Sequence, residues 1–119
     1  MAMLTIGEVS RRSGVAPSAL RFYEERGLIV SVRSAGNQRR FRRDVLRRVA
    51  VIQTAQRAGL SLEEIGTLLT DLPADRTPRK GDWAAVARRM QPLLDQRIDA
   101  LETLRGQLDG VPWEEDDQR

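Results

Sequence analysis

The sequence predicts a mainly α-helical fold: a winged helix-turn-helix head followed by a long dimerisation helix of the antiparallel coiled-coil type. Three observations predict it. Two short helical segments joined by a glycine turn precede a hairpin with Gly36-Asn37 at its turn. Basic residues are concentrated in the first half of the chain. Apolar residues recur every three or four positions between Trp83 and Leu108.

The net charge of +3 combines two opposed halves. Residues 1–60 hold 12 Arg against four carboxylates, a balance of +8, whereas residues 61–119 hold eight basic and 13 acidic residues, a balance of −5. Arginine that neutralises phosphate releases condensed counterions, so this asymmetry favours a polyanionic partner and, with the hairpin, double-stranded DNA. The plainer alternative is that these arginines lie on ordinary solvated helix faces.

The 119 residues contain no cysteine and no histidine. Disulfides, thiolate nucleophiles, imidazole bases and nearly every zinc site are thereby excluded, and we expect no enzyme, metal site or cofactor. No apolar run approaches the roughly 20 residues that a bilayer span needs, and the short stretch before Thr5 does not resemble a signal peptide. We therefore expect no membrane partner and a cytoplasmic location.

Local signals delimit the first two helices. Thr5–Glu8 fits a capping box, which predicts a helix that begins at Ile6. Gly14 ends this helix, because glycine tolerates the left-handed conformation that closes one. Pro17 suits the first turn of the second helix, which is expected to run to about Arg26.

A hairpin, the wing, follows the second helix. Leu28 to Arg33 is predicted as a strand, residues 34–37 as a turn and Gln38 to Arg42 as the returning strand. Because side chains alternate along a strand, the arginines on either side of Phe41 face away from this expected anchor. Not every arginine of the wing can therefore contact one groove of DNA.

Two further helices close the head. Residues 44–58 carry apolar residues at helical spacing, and Ser61–Glu64 is a second capping box. The segment after Leu72 holds two prolines and has no apolar periodicity, which indicates a linker. The expected organisation is a DNA-binding head at 1–72, a linker at 73–81, a dimerisation helix at 82–109 and an acidic tail at 110–119.

The last third of the chain carries a regular apolar stripe. Positions 83, 87, 90, 94, 97, 101, 104 and 108 alternate spacings of four and three, and seven of the eight are apolar. This length favours a coiled-coil seam, although the stripe could instead fold back on its own head. Pro92 predicts a kink or a break, because a mid-helix proline costs about 3 kcal/mol. The expected dimerisation residues are Trp83, Met90, Leu94, Leu101, Leu104 and Leu108.

This ordered series of parts resembles the MerR family of bacterial transcription regulators, and specifically its SoxR-type redox-sensing branch. The resemblance covers Leu4 to Gly110 and rests on stretches such as Gly7-Glu8-Val9, Arg12–Ala16, Phe22-Tyr23-Glu24 and Arg43–Arg47. It implies a homodimer that binds a pseudo-palindromic promoter spacer. Distortion of that spacer then lets RNA polymerase engage an overlong spacing.

The resemblance also implies which residues contact DNA. Ser18, Arg21 and Tyr23 match positions of the recognition helix, and Arg39 with its neighbours matches wing residues that hold the DNA backbone. Tyr23 could pack its ring in the core while its hydroxyl reaches a phosphate, and Ser18 could merely stabilise the first turn of its helix. The complete predicted set is Ser18, Arg21, Tyr23, Arg33, Asn37, Gln38, Arg39, Arg40 and Arg42.

The chain departs from the SoxR-type pattern after Leu108-Asp109-Gly110, where that branch has cysteines that hold a [2Fe-2S] cluster. Three of those positions are Val111, Glu114 and Asp116, and thiolates are the ligands that such a cluster needs. No iron-sulfur sensor is therefore expected. The acidic run 114–117 could attract a hard cation, but a solvated tail is the plainer interpretation.

The signal that such a regulator answers stays open. A small apolar or aromatic effector could bind near Trp83 and Trp113, which bracket the long helix, although the plainer interpretation makes both packing anchors.

The protein could also be architectural, an excisionase-like protein that bends DNA for recombination. A coiled-coil interaction module with a merely solubilising basic head is a third hypothesis. The long seam favours a fixed dimer and hence the regulator.

Overall fold

The computed structural model describes residues 3–74 and 76–110, and the chain divides into two units, residues 1–86 and residues 87–119. The described elements are α1 (Ile6–Ser13), α2 (Pro17–Glu25), β1 (Val32–Arg33), β2 (Arg39–Arg40), α3 (Val45–Arg57), α4 (Leu62–Leu69) and α5 (Lys80–Gly110). This mainly helical order with one small hairpin and a long final helix confirms the predicted fold class. No helix in the described ranges is long and apolar enough to cross a membrane.

Both predicted capping boxes are confirmed. Before α1, the backbone N–H of Glu8 donates to Thr5 Oγ1 at 3.1 Å, and the Thr5 N–H donates to Glu8 Oε1 at 2.9 Å. Ser61 and Glu64 exchange the same two bonds before α4. The backbone bond from Thr5 is the main reason that the pKa of Glu8 lies below its ordinary value. These short sequence signals therefore fix where two helices begin.

The turn between α1 and α2 also follows the sequence. Gly14 adopts φ 75°, in the left-handed region, and its N–H donates to the Ser10 carbonyl at 2.9 Å, which closes α1. Pro17 is the first residue of α2, where its missing N–H costs no helical hydrogen bond. The turn brings the two helices into contact with each other.

The core of the first unit comes from one face of each helix. α1 packs against both α2 and α3, and α3 also packs against α4. Val9, Leu20 and Ile52 are fully buried, as is Phe41 at the root of the wing. Val86, in the first turns of α5, is buried in this same unit. One apolar core therefore supports both α2 and the wing.

The wing strands are shorter than predicted. The ladder between β1 and β2 consists of two residue pairs, Val32 with Arg40 and Arg33 with Arg39. The prediction of a strand from Leu28 was wrong because Gly27 adopts φ 73° and the Leu28 N–H donates to the Tyr23 carbonyl at 2.9 Å, so these residues close α2. Phe41 instead exchanges backbone hydrogen bonds of 2.7 and 2.8 Å with Leu4.

The final helix begins earlier than predicted and continues through its proline. α5 takes in Lys80 and Gly81, since Asp82 Oδ2 accepts a hydrogen bond of 2.7 Å from the Arg79 N–H and so caps the helix start. Hydrogen bonding by Arg76 holds the pKa of Asp82 below its ordinary value. The alternative of a break at Pro92 was wrong, because this residue lies inside the continuous helix.

Candidate nucleic-acid interface

The two faces of α2 differ in exposure. Leu20 and Tyr23 are buried in the head, whereas Ser18 and Arg21 are exposed on the opposite side. Neither exposed side chain forms a hydrogen bond within residues 3–74 and 76–110. A helix that is anchored by one face and has unengaged donors on the other is suited to enter the major groove of DNA.

Tyr23 has the buried ring that the sequence analysis expected. Its side chain is only 6% exposed, and its hydroxyl donates to Gln56 Oε1 of α3 at 2.8 Å. Burial raises the pKa of Tyr23 above its ordinary value of 10.0, so the phenol stays protonated at neutral pH. A hydrogen bond from this hydroxyl to a phosphate requires that it leave Gln56. The Gln56 partner was not predicted, because it comes from a distant helix.

A second feature of α2 was missed by sequence reasoning. The guanidinium of Arg26 lies 4.9 Å from the ring centre of Phe22, one helical turn away. Phe22 is an exposed aromatic residue, and the cation covers part of its face. The spacing of four between an aromatic residue and an arginine was the available signal for this pair.

The wing turn is held by Ser34. Its carbonyl accepts from the Asn37 N–H at 2.9 Å, and its Oγ accepts from the Gln38 N–H at 3.2 Å. Asn37 adopts φ 60°, a left-handed conformation that asparagine tolerates better than most residues. Both Asn37 and Gln38 are exposed at the end of the hairpin.

Two wing arginines bond to the wing itself. Arg33 Nη1 donates to the Asn37 carbonyl at 3.5 Å, a long and exposed bond. Arg40 Nη1 donates to the Arg39 carbonyl at 2.8 Å, and its Nη2 donates to Gln38 Oε1 at 3.2 Å. These contacts keep two positive charges at the hairpin surface, where a phosphate could contact them.

Arg39 connects the wing with α2. Its Nε lies 2.6 Å from Glu24 Oε1, and the Ser31 hydroxyl donates to the other oxygen of the same carboxylate. Arg39 was predicted to contact DNA, but this internal partner was not predicted. The wing and the helix are therefore joined by side chains as well as by the backbone.

Arg42 differs from the other predicted arginine contacts because all three nitrogens of its guanidinium bond to the chain. Its Nε and Nη2 donate to the two carboxylate oxygens of Asp44 at 2.9 and 3.3 Å. Its terminal nitrogens also donate to the Ala74 carbonyl at 3.3 Å and the Arg76 carbonyl at 2.6 Å. Arg42 thus joins the end of the wing to the segment that follows α4.

The predicted dimerisation residues fall in both units. In the first, Trp83 is half-buried with the Arg47 guanidinium 5.1 Å from its ring centre. In the second, Met90 and Leu94 are half-buried, whereas Leu101, Leu104 and Leu108 are 47 to 64% exposed. Ile98, also exposed, was missed because the register counted from Trp83 selected Arg97 instead.

Several expectations lie outside the described residues. Trp113 is one, so the possible effector site that it was to share with Trp83 stays a prediction. The same holds for Val111, Glu114 and Asp116, where the SoxR-type branch has cysteines, and for the acidic run 114–117. In the ranges that the structure does describe, no three residues of the metal-binding types gather into a site.

Two family profiles match this sequence. The one described as MerR HTH family regulatory protein matches residues 4–72, and the one described as MerR, DNA binding matches residues 46–111. The chain belongs to the MerR family. Over 106 residues it is 58% identical to the HTH-type transcriptional activator SoxR homolog of Chromobacterium violaceum, which covers 89% of this chain and 72% of that protein.

Solved structures agree with this assignment. A MerR family transcriptional regulator from Listeria monocytogenes matches with a TM-score of 0.65 and 30% identity, over 89% of this chain and 80% of that one. HiNmlR, a MerR family regulator lacking the sensor domain and bound to promoter DNA, matches with a TM-score of 0.59 over 91% of this chain and 76% of that one. At 18% identity, the likeness to HiNmlR shows the fold alone.

Family membership confirms the resemblance seen in the sequence. This MerR-family chain is a DNA-binding transcription regulator rather than an enzyme. It has none of the cysteines that a SoxR-type iron-sulfur cluster needs. The relatives are transcription regulators, and none supports the architectural, excisionase-like alternative.

Proposed function

We propose that the protein binds promoter DNA as a homodimer and distorts the promoter spacer so that RNA polymerase can use it. The observation that carries this proposal is the arrangement of α2 and the wing. Ser18 and Arg21 are exposed on a helix whose opposite face is buried, and Glu24 joins that helix to the wing. A recognition helix and a backbone-gripping hairpin held in one arrangement are what groove binding requires.

The proposed contacts divide into two groups. Ser18 and Arg21 contact base edges, where arginine pairs well with guanine, and Tyr23 contributes its hydroxyl once that group exchanges Gln56 for a phosphate. The wing residues that are proposed to contact phosphates are Arg33, Asn37, Gln38, Arg39 and Arg40, and such contacts set affinity more than sequence preference. Arg42 instead holds the end of the wing through Asp44 and the segment after α4.

The dimer interface is proposed to lie along α5. Leu101, Leu104 and Leu108 expose roughly half or more of their side chains, and Ile98 extends the same apolar stripe. A contiguous stripe of this kind on a helix is stabilised by pairing with a second helix, here in antiparallel orientation. Leu101→Asp should convert the dimer to a monomer in sedimentation equilibrium, whereas Glu102→Ala should leave it dimeric.

The location and the input follow from this role. A regulator that binds promoters acts beside the chromosome, and we propose a cytoplasmic location for it. Because no cysteine is present, the input is not an iron-sulfur redox change. Trp83 contacts the Arg47 guanidinium, which favours a packing role for this residue. Tryptophan emission measured across a panel of apolar and aromatic compounds tests for an effector at this end of α5.

The decisive experiment is selection of bound genomic fragments with the purified protein. Affinity is then measured on the best fragment, the selected operator, and on a scrambled version of it at several salt concentrations. A pseudo-palindrome within a promoter spacer, bound far better than scrambled DNA, supports the proposal. Binding that depends on salt but ignores sequence would contradict it and favour an architectural role.

A further inference from the structure

We propose that Glu24 is a positioning residue that fixes the guanidinium of Arg39 so that its terminal nitrogens face a DNA phosphate. The inference rests on the proposed function and adds to it how an arginine of the wing is oriented toward DNA. Glu24 itself does not contact DNA in this arrangement. It acts through Arg39, which is the residue that meets the phosphate.

The carboxylate of Glu24 is engaged at both oxygens. Oε1 accepts from Arg39 Nε at 2.6 Å, a short charge-assisted bond, and Oε2 accepts from the Ser31 hydroxyl. The side chains of Arg39 and Glu24 are only 30% and 23% exposed, so solvent screens this pair less than a fully exposed one. The carboxylate therefore has little freedom to turn away from Arg39.

The remaining donors of Arg39 are available for a ligand. Within residues 3–74 and 76–110, the guanidinium forms its side-chain hydrogen bond through Nε alone. Its two terminal nitrogens carry the planar pair of donors that matches two phosphate oxygens. Because Nε is already held, the plane of the guanidinium is set before DNA arrives. Binding then loses less side-chain freedom than it would with an unrestrained arginine.

The helix itself gives no reason for a carboxylate at this position. Glu24 lies in the last turn of α2, where the helix dipole disfavours negative charge, and in the proposed function this helix approaches a polyanion. Its contacts lie instead on the wing. Ser31 directly precedes β1 and Arg39 begins β2, so one carboxylate holds the hairpin at both of its strands.

The wing needs such a support because its own ladder is short. Only two residue pairs join β1 to β2, and a hairpin of this size is marginal by itself. The side-chain bonds of Glu24 add a connection from the strands to α2, whose Leu20 and Tyr23 are buried in the core. The orientation of Arg39 is thereby tied to a helix that is packed into the core of the head.

A double-mutant cycle tests the inference in the full-length protein. Glu24→Ala, Arg39→Ala and the double variant are measured on the selected operator and on scrambled DNA at several salt concentrations. We expect each single variant to bind both DNAs about tenfold more weakly and to reduce the salt slope by about one. The double variant should bind no more weakly than Arg39→Ala, since Glu24 has no further role once Arg39 is gone.

Two other outcomes would overturn the inference. If Glu24 only repels DNA, Glu24→Ala should tighten binding by the same factor with and without Arg39. If the pair only stabilises the fold, both single variants should lower the melting temperature and leave the salt slope unchanged. Glu25→Ala is the matched control, because Glu25 is the exposed neighbouring carboxylate, and its loss should tighten binding slightly.

Conservative variants separate positioning from charge. Glu24→Gln keeps an oxygen that can accept from Arg39 Nε and should retain more affinity than Glu24→Ala. Arg39→Lys keeps the charge but lacks the planar guanidinium. In this background, Glu24→Ala should therefore leave DNA affinity unchanged. Ser31→Ala removes one support of the carboxylate and should give a smaller loss in the same direction, a readout that remains if Glu24→Ala folds poorly.

The design distinguishes failure of this inference from failure of the proposed function. If the unmodified protein does not prefer operator over scrambled DNA, the proposed function fails. If it does prefer the operator but the losses from Glu24→Ala and Arg39→Ala are simply additive, only the positioning role of Glu24 fails.

Discussion

In α2, Ser18 and Arg21 reach solvent without side-chain partners, and burial of Leu20 on the opposite face fixes the helix. In the wing, by contrast, Arg33, Arg39 and Arg40 each donate a hydrogen bond to another residue of the chain. The helix sets side-chain direction through its backbone and its core contacts. The wing has only two paired residues on each strand and sets side-chain direction through hydrogen bonds from the arginines to side chains and backbone carbonyls.

This difference separates two ways of building a DNA-binding surface. A packed helix can leave its functional side chains unrestrained, since the groove itself then selects their rotamers. A short hairpin offers no such platform, so its cations are held by neighbours such as Glu24 and Gln38. Substitutions on the inward face of α2 should therefore change the stability of the fold. Substitutions on its outward face should change sequence specificity, and those in the wing should change the orientation of the side chains that contact DNA.

The largest effect should come from removal of the anchor of α2. Leu20→Ala leaves a cavity where the side chain is fully buried, and it should lower the free energy of unfolding by about 2–5 kcal/mol in urea titrations. Phe22→Ala, on the exposed side of the same helix, should cost less than about 1 kcal/mol. Similar losses for both variants would mean that burial of one face does not anchor α2.

The next effect concerns the outward face of α2. Arg21→Ala should lose about 1–3 kcal/mol of binding free energy on the selected operator and much less on scrambled DNA, because a base contact is removed. Arg26→Ala removes the same charge from the C-cap of the same helix and is the control. Fluorescence anisotropy with labelled DNA measures both. An equal loss on operator and scrambled DNA would show that Arg21 does not contact a base edge.

A smaller effect separates Arg42 from the surface arginines of the wing. Arg42→Ala breaks its bonds to Asp44 and should reduce stability by about 1 kcal/mol, while the salt slope of DNA binding stays unchanged. Arg40→Ala should do the opposite, keeping stability and lowering the slope by about one. A lower slope for Arg42→Ala would place this residue on a phosphate as well.

The smallest effect should come from the wing turn. Asn37→Gly keeps the left-handed conformation and removes the side chain, so it should weaken binding to all DNA by about threefold and leave the melting temperature nearly unchanged. Asn37→Ala should give the same loss of affinity and also lower the melting temperature, because alanine disfavours positive φ. Unchanged affinity in Asn37→Gly would assign Asn37 to the turn alone.

Features set by neighbouring residues could be predicted from the sequence. The capping boxes at Thr5 and Ser61 and the left-handed Gly14 depend on a few consecutive residues, and all three are present. The ends of the wing strands depend on contacts outside the hairpin, because the Leu28 N–H bonds to the end of α2 and Phe41 pairs with Leu4.

The partners of the candidate site residues were harder to predict. Tyr23 meets Gln56 of α3, Arg39 meets Glu24, and Arg42 meets carbonyls of the segment after α4. Each pair joins residues that are distant in sequence, and no local sequence pattern specifies which hydrogen-bond partner a long polar side chain will have. The resemblance indicated which residues belong to the DNA-facing surface, but not how the chain holds them.

The backbone pair between Leu4 and Phe41 has a consequence for folding kinetics. It joins residues from the two ends of the helix-turn-helix and wing segment, and closing a loop of that size loses chain entropy that local contacts cannot offset. The pair should therefore form only when α1, α2 and α3 are assembled. Protection of the Leu4 and Phe41 amides from hydrogen exchange consequently reports completion of the whole head, whereas the amides of β1 should exchange much faster.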